Sequence, residues 1–201
     1  KQACGHHLPT DRYVDAMLSH ATGRLWLYDR MGHTDPEHLL KVMRYATKKL
    51  GLNHFVIDSL MKVVAGEDDY NGQKNFVNEI CAFAQDYDVH VHLIHHSRKL
   101  SDENTIPGKM DSKGSGAIVD QVDQCFTVWR NKKKEQQKQA GKEVDEKMPD
   151  AFVVCDKNRH GEWEGKVGLF YIPGACSYTE HPNKPMYHTY SKHMEVEGEP
   201  I

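Results

Sequence analysis

The chain has no apolar stretch near the ~20 residues that a membrane-spanning helix needs. Its longest apolar runs are one strand long, as in Val89-His90-Val91-His92-Leu93-Ile94, so no membrane partner is expected. Its start, Lys1-Gln2-Ala3-Cys4-Gly5-His6-His7, has none of the apolar run of a secretory signal. There is no excess of positive charge either: 26 Lys and Arg stand against 29 Asp and Glu, a formal net charge of -3. That excludes a protein that coats nucleic acid by bulk charge, and any DNA contact must come from local patches. Cysteine is sparse. Cys4, Cys81, Cys125, Cys155 and Cys176 are odd in number, scattered and never spaced as CxxC. This argues against a disulfide framework and points to a reducing, intracellular setting: cytoplasmic, nucleoid-associated or mitochondrial.

What is present suffices for one domain with a real core, since 38% of the 201 residues are hydrophobic. Leu25-Trp26-Leu27-Tyr28-Asp29 reads as a short buried strand. Asp35 suits a helix N-cap and Pro36 the first helical position, with Leu39, Leu40, Met43, Ala46 and Leu50 on one face and Gly51 as the stop. His54 to Asp58 is a second strand, apolar and ending in a carboxylate. A helix is predicted from about Gln73 to Tyr87, then a strand from Val89 to Ile94. A long polar loop, Ser97 to Lys113, leads to a short helix opened by Gly114-Ser115-Gly116. Gln124 to Trp129 reads as a fourth strand, and Asn131 to Pro149 as a mobile, lysine-rich insertion. Ala151–Cys155 and Lys166–Tyr171 read as a closing antiparallel pair, and Glu180 onward as a polar tail. Strand–helix–strand order followed by a hairpin predicts a three-layer α/β domain with a mainly parallel sheet.

Four features could carry chemistry. Asp58 ends a buried parallel strand, on the edge where α/β sheets bind ligands and where nucleotide hydrolases place a Mg²⁺-holding acid. A strand-capping aspartate is the bland alternative. His96 ends the next strand and could donate to a γ-phosphate. A zinc site built from His90, His92, His95 and His96 would lack a Cys or carboxylate at ligand spacing. Lys157 and Arg159 stand before a glycine turn, where a cation pair can reach a neighbour's phosphates; spacing alone favours an exposed basic hairpin turn. Gly114-Ser115-Gly116 could offer backbone amides to DNA phosphate, or be a plain flexible turn.

The stretches "LWLYDRMG", "FVIDSLMKVV", "VHVHLIHHSRK", "GSGAIVDQVDQ" and "VCDKNRHGEWEGKVGLFY" follow one another in the order seen in a known family. From about Leu25 to Tyr178 the chain resembles the helicase half of phage primase–helicases and of mitochondrial Twinkle, and more distantly the DnaB-type replicative helicases. The resemblance implies a RecA-like P-loop NTPase fold, with Mg²⁺ and ATP or another NTP as cofactors. It also implies single-stranded DNA as partner and a homo-oligomeric, hexameric ring. It puts Asp58 at the Walker B acid, His96 at the γ-phosphate sensor, and Gln121 near the residue linking nucleotide to DNA loops. Arg159 falls at the arginine finger and Lys157 at its companion. The loops after Asp58, after His96 and around Gly114, Ser115 and Gly116 correspond to those gripping DNA, with Arg98, Lys99, Lys109 and Lys113 as basic candidates. Residues 1–180 would be a partial motor domain and 181–201 a tail.

The chain also departs from that family. No GxxxxGK[ST] phosphate loop occurs in it, and the resemblance places the water-activating glutamate in the same absent part. The fold is therefore expected to be truncated on its N-terminal side, and the chain alone to lack NTPase activity. The loop after Asp58 carries Glu67, Asp68 and Asp69, which repel phosphate. The lysines of residues 131–149 read as a solvated surface. A RecA-like ATPase that does not unwind, a DNA-binding module without catalysis, and a zinc hydrolase remain as competing readings.

Overall fold

The computed structural model describes residues 11–30, 32–64, 66, 68–96, 106, 116–173 and 176–182. Helix α1 spans Asp11–Ala21. Helix α2, Pro36–Tyr45, starts where Asp35 Oδ2 accepts the His38 amide at 2.9 Å, the N-cap arrangement expected there. It runs into a π-helical turn, Ala46–Leu50, and stops at Gly51, whose φ of 69° suits a residue without a Cβ. Strand β1 (His54–Asp58) leads through a 3-10 turn into α3 (Tyr70–Tyr87) and back to β2 (His90–Ile94). The α3 N-cap is Asp69, whose Oδ1 accepts the Gly72 amide at 2.9 Å.

Strands β1 and β2 pair in parallel, with His54 opposite His90 and Asp58 opposite Ile94. Period-two alternation gives this small sheet two unlike faces. Phe55, Ile57, Val91 and Leu93 turn toward Leu40 and Met43 of α2 and Phe76, Val77, Ile80 and Phe83 of α3, which form the core. His54, Val56, Asp58, His90, His92 and Ile94 lie exposed on the other face. Helix α4 (Gly116–Gln121) adds Ile118 to the same core.

The second half of the chain is antiparallel. β3 (Gln124–Arg130), β4 (Ala151–Asn158), β5 (Gly165–Ile172) and β6 (Ser177–Thr179) pair in that order. A bulge between Cys125 and Phe126 shifts the β3–β4 register. The chain is thus α/β, as expected, but among the described residues parallel pairing is confined to β1 and β2. Among the described residues the two sheets share no ladder hydrogen bonds.

Two expectations are corrected. Leu25 to Asp29 forms no strand, and Leu27 is 84% exposed, because no neighbouring edge pairs with the segment. The lysine-rich insertion is built into the fold: α5 (Lys132–Gln139) is capped by Asn131, whose Oδ1 accepts the Lys134 amide at 3.0 Å. The Lys134 side chain, 3% exposed, donates from Nζ to the Met148 carbonyl at 2.5 Å and pairs with Asp150 at 2.9 Å. Helix α1 has no counterpart in the sequence reading. The tail lies outside the described residues from 183 onward.

Candidate functional site

The β1–α3–β2 unit places Asp58 and His96 at one edge of the parallel sheet. Ile94 is the register partner of Asp58, and His96 follows two residues later, so both side chains leave the carboxyl ends of adjacent parallel strands. Both are exposed. Buried Ser59 and Leu60 then anchor the chain as it leaves β1. One exposed carboxylate is a sparse donor set. It suits Mg²⁺, which keeps most of its waters and takes one or two carboxylates plus phosphate oxygens. Among the described residues no three His, Cys, Asp or Glu side chains converge as a metal cage. His54, His90 and His92 do cluster, with the His90 and His92 ring centroids 4.3 Å apart. Burial first, then the two neighbouring rings, holds His92 below the ordinary histidine value. That arrangement disfavours the charged ring.

A second group forms around the carboxyl end of α4. Lys157 Nζ donates to the Val119 carbonyl at 2.7 Å and to the Asp120 carbonyl at 2.9 Å. Arg159 Nη2 donates to the Asp120 carbonyl, and Nη1 to that of Gln121 at 3.4 Å. Nη1 also lies 3.5 Å from Asp123 Oδ1, which His160 approaches to 3.8 Å. The Arg159 backbone amide donates to the Asp123 carbonyl at 2.9 Å. Cations at a helix carboxyl end meet carbonyls that have no intrahelical partner, so the arrangement is electrostatically favourable. From α3, the Cys81 thiol reaches the Gln121 carbonyl at 3.8 Å. Burial first, then Asp123, pushes that thiol up, with Arg159 and Lys157 pulling the other way.

Gln121, Lys157 and Arg159 are thus gathered at one place, while Asp58 and His96 share another. No protein-family model and no curated protein matches this chain. Of the predicted DNA-contacting residues, Gly116 opens α4, and Arg98, Lys99, Lys109, Lys113, Gly114 and Ser115 lie outside the described residues. Sequence reasoning missed Asp123 and Cys81. Asp123 had a usable signal, an acid two residues past Gln121 and just before β3. The carbonyl partners of Lys157 and Arg159 had none, because every residue carries a carbonyl.

Among the described residues no helix is long and apolar enough to cross a membrane.

Proposed function

We propose that these residues belong to the RecA-like motor of a replicative ring helicase, which couples NTP hydrolysis to translocation on single-stranded DNA and to duplex unwinding. The observation that carries the reading is the placement of Asp58 and His96 at neighbouring carboxyl ends of two parallel strands. Ligands of open α/β sheets bind at that edge. In this reading Asp58 holds Mg²⁺ through water, and the ion, when bound with an NTP, neutralises charge on the phosphates. His96 donates a hydrogen bond to a terminal phosphate oxygen and reports its presence. Arg159 and Lys157 supply positive charge to the phosphates of a neighbouring copy in a hexameric ring. Gly116 and the preceding segment, with Arg98, Lys99, Lys109 and Lys113, meet the DNA backbone. The three-layer RecA-like arrangement belongs to the same proposal, and it needs a phosphate loop from chain outside these 201 residues.

A RecA-like module that binds DNA without unwinding is the second reading. The engagement of Arg159 and Lys157 within their own chain favours it.

Fluorescence anisotropy of a labelled oligothymidylate tests the DNA half of the proposal. The 201-residue chain should bind it with affinity that falls steeply as salt rises. Replacing Arg98 and Lys99 together by Ala should flatten the salt slope by about 1–2. Absence of binding at low salt, or an unchanged slope in the double variant, contradicts the assignment of these loops.

A further inference from the structure

We propose that Lys157 and Arg159 form a latch: they hold the carboxyl end of α4 closed, and phosphate oxygens compete with the α4 carbonyls for them.

The latch is visible as a set of bonds. Three successive carbonyls at the end of α4, those of Val119, Asp120 and Gln121, are taken by two side chains, Lys157 of β4 and Arg159 in the turn just after it. Helix α4 has only six residues, and it has few intrahelical bonds to keep its last turn wound. The Arg159 guanidinium is spent on this task through both Nη atoms, and Asp123 fixes its orientation from the side. The cations are nevertheless within reach of solvent: the Arg159 side chain is 47% exposed.

Lys157 Nζ and both Arg159 Nη atoms already face carbonyls, so an anion that takes those same donors takes them at the expense of α4. A phosphate group carries more charge than a peptide carbonyl and forms stronger, charge-assisted bonds. An oligophosphate therefore draws Arg159 and Lys157 away, and the last turn of α4 loses its partners. Helix α4 starts at Gly116, directly after Gly114 and Ser115 in the sequence. The latch stands on hydrogen bonds alone; its use as a relay between nucleotide and DNA rests on the motor reading above. Lys157 and Arg159 are in this respect positioning residues.

Hydrogen exchange of the 201-residue chain, read by mass spectrometry over residues 116–123, tests the latch with inorganic tripolyphosphate as the anion. Ionic strength is held constant with sodium chloride. Saturating tripolyphosphate should raise exchange in wild-type α4 about ten-fold, while amides of the β4–β5 ladder stay protected. The Lys157→Gln, Arg159→Gln double variant should exchange fast from the outset and ignore tripolyphosphate. Arg159→Lys should keep a weaker response, which a purely structural brace would not show. The proposal is overturned if tripolyphosphate does not bind, or if it binds without changing exchange in α4. It is also overturned if the double variant exchanges like wild type. Should the double variant lose its fold, the wild-type titration and the single Lys157→Gln variant decide. A wild-type response to tripolyphosphate without any DNA binding would keep the latch and remove the motor reading.

Discussion

On α3, Cys81 turns its thiol toward the Gln121 carbonyl, at the point where helix α4 meets Lys157 and Arg159. Burial and the nearby Asp123 carboxylate raise its pKa, so little of it is thiolate near neutral pH. Cys176 is exposed. Iodoacetamide at pH 7.5 should therefore modify Cys176 at least about ten times faster than Cys81, as read by peptide mass spectrometry. Equal rates would mean that the α3–α4 contact is open in solution. At this scale the sequence was informative about where a residue stands along a strand or helix and silent about what it touches. The strand-end positions of Asp58 and His96 were legible because strand periodicity and strand ends are local properties. The partners of Lys157 and Arg159 were not, because they are main-chain carbonyls some 37–39 residues away, brought close only by folding.

Helix α5 shows how an element can be misjudged by composition. Its sequence, KKKEQQKQ, has no apolar stripe and reads as solvated. What folds it is polar: the Asn131 cap, the Asn131 amide donating to the Asp150 carbonyl at 2.8 Å, and buried Lys134. Asp150 is the centre of this brace. It accepts from Lys134 and, through Oδ2, from the Tyr171 amide at 2.9 Å. Burial alone would push its carboxyl up. The ammonium of Lys134, the Tyr171 amide and Lys138 outweigh burial and hold it below the ordinary value. A lowered folded value means that the folded chain binds this proton more weakly than the unfolded one. The stabilisation is then complete above about pH 4 and is lost as pH falls through the depressed folded value. Urea melts should show this loss in the wild type and its absence in Asp150→Asn. Removing Lys134 leaves a half-buried carboxylate without its main partner, so Lys134→Ala should cost about 2–3 kcal/mol. Replacing the exposed neighbour Lys133 by Ala should cost under about 0.5 kcal/mol. Equal effects from the two lysines would remove the brace. Elements with an apolar period, α2, α3, β1 and β2, were legible in the sequence. The Leu25–Tyr28 segment was legible as apolar but not as unpaired, since strand formation depends on a partner edge that no local pattern reveals.

At the scale of the molecule, the chain carries a parallel two-stranded sheet and an antiparallel four-stranded sheet, with α3 and α4 in contact between their sequences. The outward faces keep large apolar side chains in the open: Leu25, Trp26 and Leu27 before the first sheet, Val56 on β1, and Phe126 and Val128 on β3. Exposed apolar surface of that kind marks a place where further protein packs. In the proposed motor, that further protein would be the phosphate-loop part and the neighbouring subunits. The proposed chemistry is divided in the same way, with Asp58 and His96 at one strand edge and Arg159 and Lys157 at α4. The central claim is that this division serves NTP-driven movement on DNA. The direct measurement is unwinding of a forked duplex by a longer polypeptide that joins these residues to a phosphate loop, with and without Asp58→Asn. The account predicts NTP- and Mg²⁺-dependent strand separation that falls at least about a hundred-fold in the variant while single-stranded DNA binding persists. Unwinding that survives Asp58→Asn, or a wild-type protein that hydrolyses no NTP in the presence of single-stranded DNA, would contradict it.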